Sequence, residues 1–105
     1  MSMTVELVYD RDCPNVPAAR EQLLAAFKAA GREPSWQEWD VSLAAVPEHV
    51  RGYGSPTILV DGADVAGGEP TGTDVCCRIY AGDSGPRGVP PLAQIVAALG
   101  AVRND

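Results

Sequence analysis

Three cysteines are the side chains in this 105-residue sequence best suited to covalent chemistry. Cys13 stands in "YDRDCPNVP" (9–17), where the residues before it read as a strand and those after it as a helix. At such a junction the free N–H groups of the first helical turn point outward, and the helix dipole adds partial positive charge. Both stabilise a thiolate, the nucleophilic form of cysteine. Arg11 adds to that effect, whereas Asp12 opposes it, because a neighbouring carboxylate disfavours a second negative charge. A dithiol site would carry its second sulfur three residues on, but that position is Val16. The other two thiols are adjacent, Cys76 and Cys77 in "DVCCRIY" (74–80). In an extended chain they point to opposite sides, so at most one faces a given partner. Two readings of Cys13 stand side by side: a reactive thiol, and a small inert core residue.

Other chemistry finds less support. His49 is the only histidine and lies in a polar segment, so it is expected to be exposed and not a metal ligand. "GGEPTG" lacks the lysine and the following helix of a phosphate-binding loop. "DSGPRG" has a serine and an acid but no partner histidine, which leaves a hydrolytic triad without support. Tyr53 and Tyr80 could flank a thiol pocket, though packing is the expected role of both. Asp12 or Asp74 could supply a proton to a thiol reaction only if the fold placed them beside it.

The elements that must position Cys13 follow from periodicity and turn chemistry. "TVELVY" (4–9) alternates and is rich in β-branched residues, which predicts a strand. "PNVPAAREQLLAAFKAAG" predicts a helix, with Pro14 at its first position and Gly31 just past its end. Val16, Leu23, Leu24 and Phe27 are expected on its inner face. "SWQEWDV" (35–41) predicts a second strand, with Trp36 and Trp39 on opposite faces. "LAAVPEHVRGYG" (43–54) reads as a short or broken helix, since Pro47 forbids a long one. "PTILVDGADVAG" (56–67) predicts two strands around an Asp61-Gly62 turn. A long loop over 67–91 comes next, interrupted by "VCCRIY". "PLAQIVAALG" (91–100) is the last helix, and "AVRND" a tail.

This order predicts one α/β (α+β) domain over 1–105, β-α-β-α-β-β-α, with a mixed four-stranded sheet and helices on both faces. The length fits a single core. Hydrophobic residues make up 46% and charged residues 21%, the balance of a globular chain. The net charge of -6 argues against nucleic acid as a partner, since binding phosphate needs a concentrated positive surface. No apolar run approaches the roughly 18 residues that would span a bilayer. "MSMTVELVYD" has neither a basic region nor an apolar signal segment, so a cytoplasmic location is expected. Thiols are normally reduced there, and three are too few for a disulfide scaffold.

The junction "LVYDRDCPNV", together with "GSPTILVDG" before a hairpin, resembles the thioredoxin superfamily over residues 4–100. More narrowly, "CPN", "GSPT" with "VDG", and "CRIY" followed by "VPP" resemble small bacterial thioredoxin-like proteins, some of them labelled mercury-resistance or alkylmercury-lyase-like. The resemblance implies a thioredoxin-like fold, with Cys13 as the nucleophilic cysteine. It implies that Pro56 is the cis-proline facing that cysteine, with Ser55 the residue before it. From the residues alone the rarity of cis bonds would favour trans. In "CRIY" of the related small proteins there is a single cysteine, so Cys77 matches and Cys76 is the extra one. Two readings of Cys77 follow: the 67–91 loop folds over the start of the first helix and brings Cys77 to Cys13, in place of the sulfur missing at Val16, or Cys77 is a core residue of a strand-like segment beside Ile79. The expected partner is a thiol or disulfide of a protein or small molecule, and no cofactor is expected. Cys13 and Cys77 as facing thiolates would also suit Hg²⁺ or Cu⁺, whereas Zn²⁺ normally takes four ligands. A thioredoxin-like module that acts only through its surface is the remaining alternative.

Overall fold

The computed structural model describes residues 4–43, 46–50, 53–67, 80–82 and 85–100, with the backbone alone for 80–82 and 85–87. Val5–Tyr9 form β1, and its first four residues are buried. Burial of both alternating sets means that this strand is covered on both faces. Val5 and Leu7 enter one core and Val8 another.

Helix α1 spans Val16–Ala29. It begins later than Pro14 predicts. Asn15 is its N-cap, and Pro17 occupies the first turn, where a missing N–H costs nothing. Val16, Ala19, Leu23, Ala26 and Phe27 are buried. Leu24, expected beside them, is 49% exposed. At about 100° per residue the buried side chains fill an arc of about 100° around the helix, and Leu24 falls about 60° outside it, beyond Phe27. The helix stops as predicted. The Gly31 N–H reaches the Lys28 carbonyl at 3.1 Å, and the Arg32 N–H reaches the Phe27 carbonyl at 2.9 Å. These are the two closing bonds of a Schellman motif.

Strand β2 (Gln37–Asp40) returns parallel to β1, while β3 (Thr57–Val60) runs antiparallel to β1 on its other side. A hairpin joins β3 to β4 (Ala63–Asp64). Asp61 and Gly62 both adopt positive φ in its turn, 51° and 85°. A type I′ turn requires this at both positions, and it matches the twist of the flanking strands. The sheet order is β2-β1-β3-β4. The predicted loop holds a separate ribbon, β5 (Tyr80–Gly82) paired with β6 (Gly85–Arg87). Helix α2 (Leu92–Leu99) follows Pro90-Pro91 and ends at Gly100.

Both helices lie on one face of the sheet, a correction to the expectation of helices on both. Leu23, Ala26 and Phe27 of α1 share a core with Ile95 and Leu99 of α2 and with Leu7 and Ile58 of the sheet. Gln22 Nε2 donates to the Pro90 carbonyl at 3.1 Å, and Arg32 Nε donates to the Gly100 carbonyl at 2.9 Å. The two helices are therefore tied at both ends. On the other face Val8, Val50 and Leu59 form a second cluster with Trp39, Val46 and Tyr53 around it. What covers it includes a single 3-10 turn, Glu48–Val50, in place of a helix. Pro47 disfavours helix in the residue before it and lacks an N–H, so only a short turn begins there. Trp36 stacks on Phe27 with ring centroids 5.9 Å apart, on the helical face. Trp39 belongs to the opposite face, as predicted.

Candidate functional site

Cys13 lies in two linked turns between β1 and α1. Its N–H donates to the Asp10 carbonyl at 2.9 Å, and the Val16 N–H approaches the Cys13 carbonyl at 3.5 Å. The Asp12 N–H donates to Asp10 Oδ1 at 2.9 Å, which fixes the first turn from within. The sulfur points inward, and Cys13 is only 5% exposed. Its Sγ lies 3.8 Å from the carbonyl oxygen of Ser55, 42 residues away, the geometry of a weak S–H donor on a backbone acceptor.

Ser55 holds this turn at a second point. Its hydroxyl accepts the Asp10 N–H at 2.9 Å. Ser55 is 1% exposed, and Pro56 is fully buried after it. The Ser55–Pro56 bond is cis, as the resemblance implies and the rarity of cis bonds does not. Thr57 Oγ1 donates to the Gly54 carbonyl at 2.6 Å, bracing the chain on either side of that bond. The structure thus brings Cys13 and Ser55 together. Cys76, Cys77 and Asp74 lie outside the described residues. Val16 is buried in the core. Tyr53 packs on the second-face cluster.

Arg11 serves a different partner from the expected one. Its Nε lies 3.2 Å from Asp40 Oδ2 and donates to Ser42 Oγ at 3.0 Å. This ties the Cys13 turn to the end of β2. Burial pushes the Asp40 carboxyl up, but hydrogen bonds from the Ser42 side chain and backbone, and the Arg11 charge, outweigh it and hold Asp40 below its ordinary value. Arg20 forks onto Glu38 with two bonds of 2.9 Å. That hydrogen-bonded pair lowers the Glu38 carboxyl against the opposing effect of burial, with help from the Trp36 indole. The Arg20 guanidinium also sits 5.5 Å above the Tyr9 ring.

Glu6 is a buried acid that the sequence reading did not single out. Alternation with Val5 and Leu7 sends its side chain to the face away from the helices, which is where it goes. That face is not solvent, and Glu6 is 3% exposed. Its Oε2 accepts the Trp39 indole N–H at 2.8 Å and lies 2.8 Å from His49 Nε2. His49 itself is half exposed, as its polar surroundings suggest, but one nitrogen is committed to Glu6. No local pattern signals this pairing, because it depends on the 3-10 turn folding over the sheet.

Among the described residues, no group of three or more His, Cys, Asp or Glu side chains is arranged to hold a metal ion. Among the same residues, no helix is long and apolar enough to cross a membrane. An open cavity of about 270 Å³ is lined by Thr4, Val5, Ser35, Trp36 and Gln37. It lies at the start of β1, the opposite end from Cys13. Comparison with known proteins found no matching family, no matching curated protein and no matching solved structure.

Proposed function

We propose that this chain is a thioredoxin-like thiol protein in which Cys13 is the reactive group, acting as a thiol–disulfide oxidoreductase or redox sensor with Cys77 as its second thiol. The observation that carries this reading is the approach of Cys13 Sγ to the Ser55 carbonyl. It joins the two short motifs, 42 residues apart, on which the resemblance rests. The parallel β1-α1-β2 unit and the antiparallel β3–β4 hairpin support the fold.

The chemistry balances without a cofactor. The Cys13 thiolate attacks one sulfur of a partner disulfide, an S–S bond forms to Cys13, and the partner's other sulfur leaves as a thiolate. The Cys77 thiolate then attacks Cys13 and releases the partner's remaining thiolate. The two cysteines lose two electrons as their disulfide forms, and the partner disulfide gains them. Chain connectivity is compatible with this second step. Tyr80 pairs with Arg87, one residue from Gly88, and Gly88 abuts Asn15, two residues from Cys13. Cys77 precedes Tyr80 by three residues, at most about 10 Å of chain.

The test is a cysteine map by mass spectrometry after mild oxidation and blocking of free thiols. A Cys13–Cys77 disulfide that small dithiols reverse, absent in Cys13→Ser, is the expected result. Three free, slowly alkylating thiols would sink the proposal and leave an interaction module. One Hg²⁺ or Cu⁺ bound per chain, lost in both Cys13→Ser and Cys77→Ser, without disulfide turnover, would replace exchange with soft-metal binding.

A further inference from the structure

The chain after the β5–β6 ribbon returns to the Cys13 turn. Gly88 sits against the Asn15 carboxamide, so close that a Cβ on residue 88 would overlap it. Val89 then packs on the helical-face core, and Pro90 is fully buried. The Pro90 carbonyl accepts a hydrogen bond from Gln22 Nε2 at 3.1 Å. Residues 88–90 therefore form a strap that follows α1 from its N-cap to Gln22.

Asp10 and Ser55 hold the first half of the turn beneath this strap, and the step from Cys13 into α1 is its looser half. The Val16 N–H stands 3.5 Å from the Cys13 carbonyl, at the outer limit for a hydrogen bond. Asn15 makes no side-chain capping bond to the first turn of α1. It also lies between two buried residues of the same turn, Cys13 and Val16. A displacement of Asn15 consequently pulls on the backbone that seats the sulfur against Ser55.

We propose that Gly88 is a positioning residue for the Cys13 thiol, acting through Asn15. Because residue 88 has no side chain, the strap seats on the Asn15 carboxamide, and this seat keeps the Cys13 turn closed on Ser55. The inference rests on the reading of Cys13 as the reactive group, since it describes what governs access to that sulfur. A single methyl at position 88 could be met by rotation of the Asn15 side chain. A branched side chain obstructs more, because the carboxamide carbon as well as its terminal atoms stands in the way.

The rate at which iodoacetamide alkylates Cys13 at fixed pH tests this, with peptide mass mapping to count Cys76 and Cys77 separately. Gly88→Val, folded by circular dichroism, is expected to alkylate about tenfold faster, as a locally opened turn would. Asn15→Gly deletes the carboxamide on which the strap seats and should, on its own, speed alkylation by a similar factor. An unchanged rate in folded Gly88→Val overturns the proposal. So does an unmutated rate in folded Asn15→Gly. Should Gly88→Val not fold, Gln22→Ala frees the Pro90 carbonyl and is expected to speed alkylation in its place. An unmutated rate in that variant would be equally fatal. The two proposals fail separately. Faster alkylation with no disulfide in the unmutated protein supports the strap and sinks the exchange reaction, while a disulfide with equal alkylation rates does the reverse.

Discussion

Asp10 donates its backbone N–H to the Ser55 hydroxyl at 2.9 Å, across 45 residues of sequence. The same Asp10 accepts the Cys13 N–H on its carbonyl. Ser55 thus fixes the end of β1 and the Cys13 turn together. Ser55→Ala keeps the backbone carbonyl that faces the sulfur but deletes the hydroxyl. Loss of one largely buried hydrogen bond costs about 1–2 kcal/mol. The urea midpoint should fall while the slope of the transition stays constant. An unmoved midpoint would mean that this bond does not hold the turn.

Glu6 offers a second test, on the opposite face of the sheet. Its carboxyl serves the Trp39 indole and His49 at once, inside a cluster that contains Val8, Val50 and Leu59. Glu6→Ala deprives both groups of that acceptor and should cost roughly 1–3 kcal/mol, chiefly at the Trp39 indole because His49 is half exposed. Glu6→Gln retains an acceptor oxygen for the indole and should cost less. Denaturation followed by tryptophan fluorescence ranks the two variants. Equal losses would show that the Trp39 bond contributes nothing separable.

The Arg20–Glu38 fork gives the stability curve an acid limb. Its hydrogen bonds hold Glu38 below the ordinary value of 4.5. The folded chain then binds fewer protons at this site than the unfolded chain, so stability rises with pH through that range. The contribution is fully present above pH 4.5 and is lost as pH falls through the lower folded value. Because Arg20 and Glu38 are partly exposed, the effect is small and salt-sensitive. Glu38→Gln should flatten the acid limb of a thermal-melt series, and a limb of unchanged steepness would assign it to other acids.

Phe27 and Leu24 separate the buried side of α1 from the wet side. Phe27 is 4% exposed and stacks on Trp36, whereas Leu24 is half exposed. Phe27→Ala should cost about 3–5 kcal/mol through lost transfer energy and the cavity left behind. Leu24→Ala should change stability by less than about 1 kcal/mol. Comparable losses from the two would contradict the burial pattern of the helix.

Local chemistry made much of this legible. Gly31 and the Asp61-Gly62 turn were readable because positive φ restricts the residues that fit. The strands were readable because β-branched alternation is a short-range pattern. The start of α1 was not, since Pro14 and Pro17 both suit a first turn and only the packing of Val16 and Ala19 chooses between them. The burial of Glu6 was not legible, because a strand shows which side chains share a face but not whether that face is later covered. The Cys13–Ser55 approach was legible only through the resemblance. Nothing in "RDCPN" or "GSPT" taken alone indicates that the two meet.

The outer strands of the sheet carry a further consequence. β4 has two residues and β2 has four. β2 also bears Glu38 and Asp40, engaged by Arg20 and Arg11. An intruding chain would find few open backbone groups at either margin, and at one of them it would meet a row of paired charges. Brief, charged margins of this kind are how proteins discourage strand-templated aggregation. The same side chains that tether the Cys13 turn to β2 thereby help this sheet terminate instead of propagating into a fibril.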